Sequence, residues 1–473
     1  MAGIGFRLQK LLASGSFTDL IRAYFYSSII ATGPLLVVIV SLAIIRATIQ
    51  GSLETADSNL FQSLIIYIFA FSLIGVGPVM YIVTRYIADR YYLKQAYLFT
   101  PTFLFVLQVV FIFQTIVAIL FLLRLDLPFG TKWLVYILYL FINGIWIAML
   151  FLSASRDYLW IVFAFAFGAV FGCAAAIHMG RAHGLSGFLA GYTLGQGITF
   201  LTLTIRIFFE FGLSLSYDYG VLTYLKKYPY LVLVGVFYNL GIWIDKLIFW
   251  HSNLGETVAP GLKIYSNYDT PMFLAFITIV PSMAFFLIQM ETSFVQHYHG
   301  YYQSVRERAD LGTIRAKREA ILDNLTEHFQ RFVLFQGIIS GLVIMFVYQI
   351  ADAFHLNPYQ MGVFRIGILG SFLQMGFLIL LNILFYFDLQ KDAFYVCLIY
   401  FILNTVLTLV TLRIGFSAYG FGYTGACLIA VVAAFLLLNR KLQALNYWTF
   451  MRQPILIPKF KFENEETVVL QEK

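Results

Sequence analysis

Long apolar stretches separated by short polar ones recur along the whole chain. A helix rises about 1.5 Å per residue, so roughly 20 apolar residues cross about 30 Å of hydrocarbon. Runs of that size occupy residues 23–45, 60–84, 96–123, 133–155, 158–180 and 185–208. Six more follow a polar stretch, at 230–250, 270–290, 332–350, 359–387, 393–412 and 419–438. The pattern predicts an all-α polytopic membrane protein with about twelve spanning helices. The polar stretch divides them six and six, so both halves enter the membrane in the same sense. That is the plan of two six-helix bundles built as parallel repeats around an axis along the membrane normal. No residue-level repeat between the halves accompanies it.

Basic residues orient the chain. Of the 31 Lys and Arg residues, 22 fall on the side that holds both termini and six on the other, leaving Arg206, Lys246 and Arg365 within spans. Basic loops stay in the cytoplasm, so both termini are expected there. The expected organisation is a cytoplasmic amphipathic segment at 1–22, a first bundle at 23–208, a linker at 209–229, a second bundle at 230–438 and a tail at 439–473. The amphipathic segment places Ile4, Leu8, Leu11 and Leu12 on one face beside Arg7 and Lys10. The first apolar run is too long for the core of a cleavable signal.

Composition narrows the class. The chain of 473 residues is 60% apolar and 12% charged, against about 25% charged in soluble domains. The net charge of +7 then reflects cationic loops and calls for no nucleic-acid partner. Cys173, Cys397 and Cys427 lie in apolar runs at spacings that fit no metal or redox motif. No catalytic residue, metal or cofactor is expected.

Two glycine–proline pairs stand inside spans, Gly33–Pro34 in the first and Gly77–Pro78 in the second. Proline removes an internal helix bond and clashes with the preceding turn, so both positions should kink. They are candidate hinges, or static bends. Ionisable residues inside a membrane are costly and mark functional positions by default. In the seventh span, Asn239, Trp243, Lys246 and Trp250 share one helical face, suited to sugar hydroxyls and ring faces. Asp245 is the carboxylate placed well inside a span; its neighbour Lys246 projects about 100° away, so direct pairing is not required. Arg365 is the partner to consider if Asp245 serves only as a strut. Arg206 and Arg365 are further candidates, able to line a cationic vestibule, although Glu210 one turn from Arg206 suggests a local ion pair.

The longest polar segment, 291–330, carries Ile314, Ile321 and Leu325 at helical spacing among charges. It reads as a cytoplasmic loop that forms an amphipathic helix, either a connector on the membrane surface or a partner-docking surface through Arg306, Arg308, Arg315 and Arg318.

Several blocks carry a family resemblance. The opening MAGIGFRLQKLL, the stretch from Ser27–Ser28 to Gly33–Pro34, IDKLIFW, and the block from Tyr268 to Tyr302 resemble the PelG family. These are inner-membrane transporters of Pel exopolysaccharide systems, within the multidrug/oligosaccharidyl-lipid/polysaccharide (MOP) flippase superfamily. Arg7 departs from the acidic residue that the family's opening leads one to expect. The resemblance implies two six-helix bundles around a central cavity and movement of an amino-sugar polymer across the bacterial inner membrane. It also implies a cytoplasmic glycosyltransferase and membrane accessory subunits as partners. The competing readings are a cation-coupled multidrug exporter of the same superfamily and a lipid-linked oligosaccharide flippase. An integral-membrane glycosyltransferase or acyltransferase is less favoured. The first six spans carry no carboxylate away from their ends, and the outer loops are too short for a catalytic domain.

Overall fold

A computed structural model describes residues 17–451 except 52 and 156–157. The apolar runs form α1 (Phe17–Gln50), α2 (Thr55–Tyr92), α3 (Phe99–Leu122), α4 (Phe129–Ser155) and α5 (Tyr158–Phe211). A short α6 (Gly220–Lys227) leads into α7 (Pro229–His251), α8 (Ser266–Ile277), α9 (Val280–Gln289) and α10 (Val295–Arg306). Then come α11 (Leu311–Met345), α12 (Val347–Ala353), α13 (Pro358–Tyr386), α14 (Gln390–Ile414), α15 (Phe421–Gln443) and α16 (Leu445–Met451). Residues 1–16 and 452–473 lie outside the described residues, and with them most of the predicted amphipathic segment and tail.

Among the described residues, eleven stretches are long and apolar enough to cross a membrane. One of them, α5, runs for 54 residues, twice what a bilayer needs. It reverses at Gly184, where φ is 62° and ψ −143°, a conformation that only glycine enters without strain. Counting α5 as two spans gives twelve, with the break inside the predicted gap between 180 and 185.

Packing repeats with a shift of six spans. The first span packs on α5, where Gly33 abuts Val162 of the fifth span, as the seventh (α7) packs on the eleventh (α14). The second packs on the fourth (α2 on α4), as the eighth packs on the tenth (α8 on α13). The two most extensive helix contacts between the halves are α2 with α7 and α1 with α9. The same shift exchanges these two, as a parallel pseudo-twofold requires. We call the end of the bundle that holds Phe17 and Met451 proximal and the other distal.

The linker between the halves belongs to the first bundle. Asp218 accepts hydrogen bonds from Tyr86 Oη, Thr102 Oγ1 (2.8 Å) and Gly220 N (2.9 Å). Tyr224 Oη donates to Asp89 at 2.9 Å, and burial together with that carboxylate pushes its phenol up to about 12.

Two features differ from the sequence expectation. A distal hairpin, β1 (Glu256–Ala259) and β2 (Leu262–Ile264), joins α7 to α8. Its Pro260–Gly261 corner, with Gly261 at φ 85°, has the chemistry of a type II turn. The 291–330 segment is helical, in keeping with its periodicity, but forms two helices continuous with the neighbouring spans and not a separate connector. A π-helical turn (Met290–Phe294) carries the eighth span into α10, and α11 runs unbroken into the ninth. Ile314 and Ile321 are buried where α11 packs on α10, so their apolar face is covered by protein.

Among the described residues, four other than glycine have left-handed backbone: Lys94, Arg308, His355 and Asp388. Each follows a helix end closed by a reverse bond, such as Gln95 N to Arg90 O or Leu389 N to Leu384 O, the Schellman pattern. Lys94, Arg308 and His355 suit the negative end of a helix dipole. Asp388 is the acidic exception, opposed by the negative end of α13 and favoured by the positive end of α14, which starts two residues later.

Candidate transport site

In the second bundle, Asp245 on α7 is fully buried. It accepts hydrogen bonds from Lys246 Nζ at 3.1 Å and from Tyr268 Oη at 2.8 Å. Lys246 also donates to Ile242 O (3.2 Å) and lies over the rings of Trp243 and Tyr423 at 5.8 and 5.7 Å. The pairing corrects the expectation drawn from helical geometry. Adjacent residues diverge by about 100° at Cβ, but a four-carbon stem folds the ammonium back across that angle. Asp245 therefore finds its counter-charge next door and not at Arg365.

A second carboxylate joins the cluster. Asp269, at the start of α8, accepts from Trp250 Nε1 at 2.7 Å and from Tyr265 N at 3.1 Å. Two carboxylates thus lie near one ammonium. Asp269 escaped the sequence reading because it was placed just outside the eighth span; Trp250, one face of α7 away, was the available signal. The Trp250 ring stacks on Tyr67 of the first bundle with centroids 4.6 Å apart, and Tyr67 Oη donates to Lys263 O of the hairpin at 2.6 Å.

The face of α7 marked as a sugar-binding stripe is largely the seam between the bundles. Asn239 is buried and donates to Gly235 O of its own helix at 2.8 Å. A Cβ on Gly77 would lie 2.5 Å from Asn239 Nδ2 and 2.6 Å from Gly235 O. A Cβ on Gly235 would lie 2.0 Å from Gly77 O. Backbone meets backbone there, and only glycine on both sides permits it. Pro78 follows at once and deprives the carbonyl of Ile74 of its helical partner. The Gly77–Pro78 break therefore sits in the seam, whereas Gly33 of the other pair meets Val162 within the first bundle.

Arg206 and Arg365 do not share a vestibule. Arg206 pairs with Glu210 at 2.9 Å and lies over Trp160, near the proximal end of α5. Arg365 lies over Tyr348 at 5.0 Å near the distal end of α13. At the corner between α10 and α11, Arg306, Arg308 and Arg315 are exposed. Arg318 is committed elsewhere, donating to Gln443 O at 3.1 Å and so tying α11 to α15.

The first bundle holds a polar network of another kind. Gln114 Nε2 donates to Asn143 Oδ1 (2.6 Å), Tyr139 Oη donates to Gln114 Oε1 (2.9 Å), and Asn143 Nδ2 donates to Tyr139 O (2.7 Å). Nearby, Trp146 Nε1 donates to Ser72 Oγ at 3.1 Å. None of these groups is charged, and none stood out in the sequence. Among the described residues no group of His, Cys, Asp and Glu is placed to hold a metal ion.

Comparison with known proteins bears on the family and the fold. The family model PelG, an exopolysaccharide exporter (EPS-E), matches residues 1–450. No curated protein matches the chain. Among solved structures, a multidrug resistance MATE family transporter of the MOP superfamily in its outward-facing conformation is similar, with a TM-score of 0.62 and 13% identity. The match covers 90% of this chain and 96% of that one. A MOP superfamily transporter from Pyrococcus furiosus gives a TM-score of 0.61 at 12% identity over 90% of this chain and 96% of that one. Identities this low show the shared fold alone.

Proposed function

The chain belongs to the PelG family of exopolysaccharide exporters, and from that premise we propose that it carries a Pel-like amino-sugar polymer across the bacterial inner membrane. The match over residues 1–450 carries this reading. The family and its structural relatives are transporters, and the chain is a multi-pass membrane protein. In the proposal both termini face the cytoplasm, because basic residues gather at the proximal end. A cytoplasmic glycosyltransferase supplies the polymer there, and membrane accessory subunits complete the assembly. The polymer follows the seam between the bundles, past Asn239, Trp243, Asp245 and Lys246. Arg206 and Arg365 are left out of the path, since Glu210, Trp160 and Tyr348 already engage them.

One observation favours a second reading. Asp245 and Asp269 outnumber the single ammonium of Lys246, an arrangement that also suits a cation-coupled exporter. A lipid-linked oligosaccharide flippase would use the same fold.

The docking half of the proposal is tested by recovery from detergent-solubilised membranes. A cytoplasmic glycosyltransferase should co-purify with the wild-type chain. Charge reversal at the exposed corner, R306E/R308E/R315E, should lower that recovery while the protein still inserts. Undiminished recovery would remove the corner from the docking surface.

A further inference from the structure

At the proximal end one ion pair among the described residues bridges the two bundles. Arg85 Nη1 of α2 lies 3.3 Å from Asp388 Oδ1, in the turn between α13 and α14. We propose that this pair is a latch that holds the proximal ends of the bundles together and releases them during the transport cycle. The latch rests on the transport reading only in that something must pass between the bundles.

Asp388 itself is the first argument. It occupies the left-handed position of a Schellman cap, where glycine is the usual residue. The three other such positions carry Lys94, Arg308 and His355, in keeping with the negative end of a helix. Left-handed backbone costs any residue with a Cβ, aspartate less than most, and the carboxylate lies between the negative end of α13 and the positive end of α14, so the helix ends alone do not hold it. Arg85 is what the carboxylate reaches, and a strained position that yields a cross-bundle contact points to use.

Both partners also have somewhere to go. Arg85 lies 3.5 Å from Asp89 on its own helix and over the Tyr228 ring at 5.4 Å, and these stay with the first bundle. Asp388 accepts from Gln390 Nε2 at 2.7 Å within its own turn. Parting the pair therefore strands neither charge. The two side chains are 33% and 52% exposed, so the bond is weak, as a reversible closure requires. Beneath it, the rings of Tyr81 and Phe385 meet across the same seam at 4.9 Å. The π-helical turn and α10 brace the Asp388 turn, where Tyr298 Oη donates to Tyr386 O at 3.0 Å and Phe294 packs on Phe387. The corner with the exposed arginines is thus the far end of the helix that holds the latch.

Spin labels placed at Tyr92 and Tyr395, exposed at the proximal ends of α2 and α14, report the separation of the bundles by pulsed electron resonance. The background carries Cys173, Cys397 and Cys427 as alanine, and the protein sits in liposomes without substrate. Asp388→Gly relieves the backbone and removes the charge, so it should add a longer-distance population while leaving thermal stability unchanged or higher. The exchange R85D/D388R should return the distribution toward wild type. Identical distributions for wild type and Asp388→Gly would overturn the latch. Because no substrate is present, that outcome leaves the export reading untouched, and a failure of polymer export leaves the distances standing.

Discussion

Within the first bundle, Gln114, Asn143 and Tyr139 satisfy one another through neutral hydrogen bonds. Within the second, buried Asp245 is held by Lys246 and Tyr268, and Asp269 by Tyr265 N and by Trp250, whose ring leans on Tyr67 of the other bundle. Two bundles with the same packing plan thus differ in what they ask of their surroundings. A neutral network is complete inside its own bundle and acts as a rigid frame. A charged one is sensitive to any movement that displaces a partner, because the cost of a buried charge depends on its neighbours. The asymmetry assigns scaffold to the first bundle and response to the second.

The comparison can be broken most severely at Lys246. Lys246→Ala leaves Asp245 buried without its counter-charge and should cost on the order of 3–5 kcal/mol. The double change D245N/K246M should recover much of that loss in thermal unfolding of the detergent-solubilised protein. A single-variant loss no larger than that of the pair would show that the charges are not coupled. At the seam, Gly77→Ala drives a methyl group into Gly235 O and Asn239. Overpacking of this kind costs about 1–3 kcal/mol, and it should depress export more than Gly33→Ala, which meets only the side chain of Val162. Equal effects on secretion would deny the seam a special role. The smallest effect belongs to the neutral network. Gln114→Leu removes a side chain that bonds two partners and should cost about 1–3 kcal/mol with little change in transport per folded molecule. A transport defect larger than that of Asp245→Asn would reverse the assignment of the bundles.

Much of the fold was legible because membrane solvent writes it in long apolar runs. The break at Gly184 fell where a short polar interruption, Arg181 to Ser186, separated two runs. The hairpin was missed although Pro260–Gly261 is a strong turn signal, because attention to span length treats everything between spans as loop. Periodicity showed a helix through Ile314 and Ile321 with an amphipathic face, but not α10, the partner that covers it. The site was less legible than the fold. Asp245 stood out as a charge in an apolar run, whereas Gln114 and Asn143 passed as ordinary polar interruptions. The role argued for Asp388 depends on its left-handed backbone, which nothing in the residue order announces.

The most direct test of the account follows polymer in cells that make it but lack this chain. Membranes from those cells should still synthesise polymer, while none reaches the outside until the wild-type chain is restored. Polymer secreted at the normal level in its absence, with a gain in drug susceptibility instead, would contradict the export reading and favour the cation-coupled exporter.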